Sequence, residues 1–315
     1  MNEINSMAKT YKSLKEKIDQ RMLELHLTAK KSLGQNFLID QKIVNDIVSF
    51  VKKNEDLNWI EIGPGLGSLT DDLKQYLSLV IELDTNLANY WKAQGLNVVE
   101  VDALKYDWSQ IAEFKNNNSN ADLNNNVNQK LGLVSNLPYQ ISSRIVIEMS
   151  INSEVDKMVL MFQKEVADRI LSLKMQSSYG FLSVVAQNFW DVKKLVFVSP
   201  NCFNPRPKVD SQVLTFIKKE SEIKDRNQFT QFVKNCFLER RKKISNKAKK
   251  LGLLNEFKAF FEIQNMSDPS SSSSASDLKS KTSKLSLDMR AEELTPENFK
   301  DLFIFCKNKG SLKPI

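Results

Sequence analysis

Three of the nine glycines in this 315-residue chain fall within five positions: Gly63, Gly65 and Gly67. They follow Trp59-Ile60-Glu61-Ile62, an apolar run that reads as a strand. They precede Ser68-Leu69-Thr70-Asp71-Asp72-Leu73, which reads as the start of a helix. Glycine lets a ligand approach the backbone closely, and a helix N-terminus favours anionic and polar groups. The apolar runs at 79–84 (LVIELD), 97–102 (NVVEVD) and 131–134 (LGLV) repeat the strand pattern, with helical stretches between them. This alternation predicts an α/β fold with a Rossmann-like, doubly wound parallel sheet. In such sheets ligands sit at the carboxyl ends of the strands.

Residues 213–217 (VLTFI) read as a last strand, and helical periodicity follows over 229–251, 253–261 and 296–306. The expected division is an N-terminal extension (1–27), a sheet domain (28–219) and a small C-terminal all-α domain (220–315). Two segments interrupt it. Eight of the thirteen residues at 116–128 are Asn, and 267–283 is rich in Ser. Neither can bury enough apolar surface to order itself, so both read as disordered insertions without an assigned function.

Composition excludes several classes. No apolar run approaches the roughly 18 residues of a membrane span. Residues 1–27 carry Glu3, Glu16, Asp19 and Glu24 and have no apolar core segment, unlike a signal or transit peptide. Cys202, Cys236 and Cys306 are far apart, as expected of reduced thiols in a cytoplasmic protein. His26 is the only histidine, so neither a His-based triad nor a metal site is expected. The net charge is +7, and residues 239–250 (ERRKKISNKAKK) alone hold seven cations and one anion. One short basic region therefore points to a polyanionic partner.

The acids narrow the ligand. Glu82 ends the second strand, 19 residues after Gly63, where a carboxylate accepts from ribose hydroxyls. The spacing is G-x-G-x-G, and Ser68 stands where the dinucleotide fingerprint has its third Gly, which argues against a nicotinamide dehydrogenase. Asp102 ends the third strand, suited to accept from an adenine amine. One adenosine lying across the strand ends fits S-adenosylmethionine better than a dinucleotide. After the fourth strand, Asn136-Leu137-Pro138-Tyr139 forces a turn, because Pro138 lacks an N–H and fixes φ. An amide, a backbone carbonyl and an aromatic face could together hold a flat ring bearing an amine. A proline-ended strand with an incidental Tyr is the plainer alternative.

The motifs 31–38 (KSLGQNFL), 61–65 (EIGPG), 82–84 (ELD), 102–104 (DAL), 136–139 (NLPY), 162–165 (FQKE) and 203–211 (FNPRPKVDS) come in that order. Together they resemble the small-subunit ribosomal RNA adenine N6,N6-dimethyltransferase family. The resemblance implies a class I methyltransferase that uses S-adenosylmethionine and releases S-adenosylhomocysteine. Its implied substrate is two adjacent adenines in a hairpin loop near the 3′ end of small-subunit rRNA, within a pre-30S particle, and the enzyme would act as a monomer. Asn36 and Leu38 would contact the methionine and ribose side of the cofactor, Gly63 and Gly65 would lie against it, and Glu82 and Asp102 would hold ribose and adenine. Asn136 would face both cofactor and target base, with Tyr139 and Phe203 stacking on that base; for Phe203 an ordinary Pro-rich loop with a core Phe is the plainer alternative. Arg240, Arg241, Lys242, Lys243, Lys247 and Lys250 would bind RNA from one continuous helix, with Phe237, Ile244, Ala248 and Leu251 packed inward. The chain departs from the family in its longer N-terminus, its two inserts and its Glu239-Arg240-Arg241-Lys242-Lys243 run.

The competing readings are a large-subunit rRNA methyltransferase of the antibiotic-resistance (Erm) type and a non-catalytic ribosome assembly factor of the same fold. Lys208-Val209-Asp210-Ser211 and Arg290-Ala291-Glu292-Glu293-Leu294 favour the small-subunit enzyme over the first. An altered Asn136 or Glu82 would have suggested the second, and both residues are present.

Overall fold

The computed structural model describes residues 12–29, 34–115, 130–152, 154–239, 241–267 and 284–312. The Asn-rich segment, all of the Ser-rich segment but Ser267, Arg240 and the first three residues of the 31–38 motif lie outside the described residues. In chain order the elements begin with α1 (Leu14–Glu24), β1 (Phe37–Leu38), α2 (Gln41–Lys52), β2 (Asn58–Ile62), α3 (Thr70–Leu73), β3 (Leu77–Glu82), α4 (Thr85–Ala93) and β4 (Val98–Glu100). Then follow β5 (Leu131–Asn136), α5 (Ser142–Ile151), β6 (Val155–Gln163), α6 (Lys164–Leu171), α7 (Phe181–Phe189), β7 (Trp190–Val198), β8 (Phe203–Asn204) and β9 (Ser211–Lys218). The last four are α8 (Arg226–Phe237), α9 (Ile244–Leu251), α10 (Leu254–Ser267) and α11 (Pro296–Asn308).

Seven strands form one sheet in the order β4-β3-β2-β5-β6-β9-β7. The strands from β4 to β6 run parallel, and β9 pairs antiparallel with β6. The doubly wound sheet expected from the sequence is present, with an antiparallel end that the strand-and-helix alternation does not announce. All five residues of β2 are buried, as are five of the six in β5, which suits central parallel strands covered on both faces. The order reverses between β2 and β5, so their carboxyl ends open a crevice there. Outside the sheet, β1 and β8 pair as a two-stranded ribbon, Leu38 opposite Phe203.

The chain divides into two compact units, residues 1–167 with 192–218 and residues 168–191 with 219–315. The second unit resumes at Lys219, next to the expected boundary, but residues 168–191, including α7, expected in the sheet domain, belong to the helical unit. Their apolar side chains explain it. Val184, Val185 and Phe189 are fully buried, and Phe189 meets Phe229 edge to face at 5.7 Å. Phe229, Phe232, Phe257, Phe299 and Phe303 fill the rest of that core.

The helix expected over 229–251 is two helices. It stops at Phe237, and Glu239 adopts φ +56, a left-handed conformation unfavourable for an L side chain. The buried Lys247 ammonium donates to the carbonyls of Leu238 and Glu239 across the break. At the start of α9, the Ile244 and Ser245 N–H groups donate to Met289 and Leu287 carbonyls at 2.6 and 3.1 Å.

Candidate functional site

A cleft of about 220 Å³ opens at the carboxyl ends of β2, β3 and β5. Its wall includes Asn36, Leu38, Gly63, Gly65, Glu82, Asp102, Asn136, Leu137, Pro138 and Tyr139, so the sequence-predicted residues of cofactor and base meet in one place. Phe203 is the exception. It is 3% exposed, does not line the cleft and sits in the apolar cluster with Leu38 and Leu66. Its pairing opposite Leu38 in the β1–β8 ribbon places it in the core, which corrects the expectation that it stacks on the target base.

The floor is the glycine loop. Gly63 has φ +65, and a Cβ added there would meet nothing within 4 Å. The backbone is thus held in a conformation that favours glycine, with open space beside it. On either side stand two buried carboxylates. Glu82 Oε1 accepts from the N–H groups of Leu83 and Asp84, each at 2.8 Å, and burial raises its pKa against the opposing effect of these bonds. Glu61, the fourth of the five residues of β2, is 1% exposed, and its Oε2 has no hydrogen-bond partner among the described residues. Burial pushes its pKa up to about 8; the Thr70 hydroxyl beside it opposes the shift without closing a well-formed hydrogen bond, and the negative Asp71 and Glu82 add to it. Such an orphaned acceptor costs free energy unless a ligand supplies the partner.

These features fit S-adenosylmethionine. Glu82 and Asp102 would accept from ribose and adenine, Gly63 leaves room for close approach, and Glu61 would become a countercharge on pairing with the ammonium of a methionine tail. Sequence reasoning assigned Glu61 no role. The usable signal was an acid inside a strand whose other residues are buried. Among the described residues, no group of three or more His, Cys, Asp or Glu side chains is placed to hold a metal ion.

The acceptor side is equally ordered. Asn136 is the last residue of β5, and its neighbour Ser135 donates to the Ile62 carbonyl at 2.5 Å, tying the ends of β5 and β2 together. Asn136 Nδ2 donates to the Asn36 carbonyl at 3.1 Å. Because that partner can only accept, the amide nitrogen is committed there, and Oδ1 is the free end of the amide. Leu137 and Pro138 follow past the strand end. The Tyr139 hydroxyl lies 2.9 Å from Ser211 Oγ, and burial raises its pKa, so the phenol stays neutral.

The basic segment belongs to the helical unit. Arg241, Lys242, Lys243 and Lys250 are exposed. Glu239 pairs with Lys242 at 2.9 Å and with Lys250 at 2.6 Å, and these lysines hold its carboxyl down to about 2. Lys243 pairs with Asp288 at 2.8 Å. Exposed pairs of this kind are weak, so their cations remain available to phosphates. Lys247 is different. Its side chain is 2% exposed and caps the break between α8 and α9, which corrects its expected place on the outer face. The restart of the helix at Ile244 turns Lys249 outward instead.

At 44% identity the chain is similar to the ribosomal RNA small subunit methyltransferase A of Bdellovibrio bacteriovorus, over 78% of this chain and 84% of that one. The protein of the same name from Francisella tularensis subsp. novicida is 40% identical over 71% of this chain and 84% of its own length. Two solved structures share the fold. A dimethyladenosine transferase from Plasmodium falciparum has a TM-score of 0.62 at 24% identity, covering 87% of this chain and 98% of that one. The 23S rRNA methyltransferase ErmE has a TM-score of 0.56 at 20% identity, covering 86% and 100%. The family model described as ribosomal RNA adenine dimethylase matches residues 26–304. That span holds every residue of the cleft and the basic segment, and the chain belongs to the ribosomal RNA adenine dimethylase family.

Proposed function

We propose that this protein transfers methyl groups from S-adenosylmethionine to N6 of two adjacent adenines in a hairpin loop near the 3′ end of small-subunit rRNA, within a pre-30S particle. It does so in the cytoplasm, as a monomer, without a metal, and releases S-adenosylhomocysteine. The observation that carries the reading is the commitment of Asn136 Nδ2 to the Asn36 carbonyl, which leaves Oδ1 as an acceptor beside the glycine loop. When bound, the cofactor supplies a methyl group on a sulfonium, an electrophile that needs no further activation. The protein's task is the adenine amine, whose lone pair is delocalised into the ring.

Asn136 Oδ1 and the Leu137 carbonyl accept the two N6 hydrogens, which favours a pyramidal nitrogen and aims its lone pair. Tyr139 offers a ring face for the unstacked base; such stacking is worth about 1–3 kcal/mol. Positioning and fixed dipoles supply the acceleration, and the proton leaves after attack, so no tuned base is required. The basic segment holds the rRNA backbone.

The test is transfer of labelled methyl to small subunits that lack the modification, followed by mapping of the methylated bases. Dimethylation of two adjacent adenines near the 3′ end is expected. Label found only on large-subunit RNA, or none at all, would overturn the reading.

A further inference from the structure

The family match begins at residue 26, whereas α1 (Leu14–Glu24) precedes it. The helix is well built. Ser13 caps it by accepting from the Glu16 N–H at 3.1 Å, and Leu14 and Ile18 are buried in the same cluster as Leu38 and Leu66. One side chain then reaches the back of the glycine loop. Arg21 Nη1 donates to the Leu66 carbonyl at 2.6 Å, inside the glycine loop, and to Asp71 Oδ2 at 2.8 Å, just beyond it. The same guanidinium lies over the rings of Tyr90 and Trp91, 5.3 and 5.4 Å from their centroids. The helix is held at its other side too, where Asp19 Oδ1 accepts from Asn204 Nδ2 at 2.7 Å.

The third glycine of the cluster is explained by this contact. A Cβ on Gly67 would fall 2.3 Å from Arg21 Nη1 and 2.7 Å from the Trp91 ring, whereas Gly63 has only open space beside it. Gly67 therefore makes room for Arg21 and Trp91, and Trp91 Nε1 in turn donates to the Gly65 carbonyl at 3.0 Å. The outward-facing carbonyls of the loop are pinned from behind. All three glycines carry positive φ, so an unpinned loop would sample many conformations, and a ligand would have to order it at the expense of affinity.

We propose that Arg21 is a positioning residue for the methyl donor: it holds the glycine loop in its binding shape before the ligand arrives. It touches neither cofactor nor base. The proposal rests on reading the cleft as an S-adenosylmethionine site. In the full-length protein, Arg21→Ala is expected to weaken S-adenosylmethionine binding by roughly tenfold in calorimetry, a common size for coupling between sites. The KM for S-adenosylmethionine rises to match, while kcat at saturating donor holds.

Arg21→Lys should recover most of the affinity, since both acceptors face one Nη atom and an ammonium can serve both. Val155→Ala, a cavity at the far end of β6, should lower Tm and leave donor affinity unchanged. The proposal is overturned if Arg21→Ala binds S-adenosylmethionine as the wild type does. It is overturned equally if Val155→Ala loses as much affinity for the same loss of Tm, or if kcat falls in step with affinity. Absence of binding to the wild-type protein would instead reject the cofactor reading itself.

Discussion

Asn136 Nδ2 donates to the main-chain carbonyl of Asn36 at 3.1 Å, a contact spanning 100 residues of sequence. It joins the end of β5 to the segment 34–38, which lines the same cleft, and it fixes which end of the amide faces that cleft. Asn136→Asp should break both functions, because a carboxylate cannot donate and would confront the Asn36 carbonyl with a second acceptor. We expect kcat for methyl transfer to fall about 10²–10³-fold, the usual cost of losing an oriented electrostatic group. Affinity for S-adenosylmethionine should fall far less. Single-turnover rates and calorimetry on the same preparation check this. Near-normal turnover by Asn136→Asp would remove Asn136 from the mechanism.

Much of this site was legible because it is built from short motifs at strand ends. The glycine cluster, Glu82, Asp102 and Asn136 each follow an apolar run, and the sheet brings those ends together without help from distant chain. What escaped depends on three-dimensional packing. Glu61 looked like one letter of a strand, and only its burial shows a carboxylate with an unpartnered oxygen. Phe203 reads from sequence either as a base-stacking aromatic or as a core Phe in a Pro-rich loop, and its pairing with β1 places it in the core. Lys247 looked like one of a row of solvated cations, because helical spacing assumes an unbroken helix, and the left-handed Glu239 resets the register. Residues 168–191 went to the wrong domain because their strongly apolar run gives no sign of which core will take it.

Glu61 makes a pH prediction. Its pKa stands at about 8 in the folded protein against an ordinary 4.5, so the fold favours the protonated form. Its contribution to stability is complete below 4.5 and is lost as the pH rises through about 8. Thermal unfolding of the free protein should therefore show Tm declining across that window. Glu61→Gln should lack this part of the decline and should be at least as stable as the wild type at the alkaline end. A bound ammonium reverses the preference, so S-adenosylmethionine affinity should rise with pH through the same range and lose that dependence in Glu61→Gln. Identical pH profiles for the two proteins would dismiss the pairing.

Gly63→Ala separates stability from ligand binding. The substitution places an L side chain at φ +65, a conformation costing about 1–2 kcal/mol. The new methyl meets no protein atom within 4 Å, so further destabilisation is not expected. It does enter the space beside the glycine loop, and donor binding should be lost out of proportion to the change in Tm. Equilibrium denaturation alongside calorimetry measures both. Retention of normal affinity would show that the cofactor does not approach the backbone there.

The lysines of the basic segment should divide into two kinds. Lys247→Ala removes a buried ammonium from the Leu238 and Glu239 carbonyls, and a hydrogen bond to a charged group contributes about 1.5–3 kcal/mol. The helical unit should be measurably less stable, and whatever RNA binding is lost should follow from unfolding. Arg241→Glu with Lys243→Glu leaves that cap in place and reverses exposed charge. It should weaken binding to small subunits and flatten the dependence of log K on log salt by about 0.7 for each single-stranded RNA phosphate that the protein no longer neutralises. S-adenosylmethionine affinity and Tm should both stay at wild-type values in the double variant. Filter binding across a salt series, with unfolding curves for each protein, distinguishes the two effects. An unchanged salt slope in the double variant would place the RNA footprint elsewhere, while a stable Lys247→Ala protein with normal folding would contradict its role at the helix break.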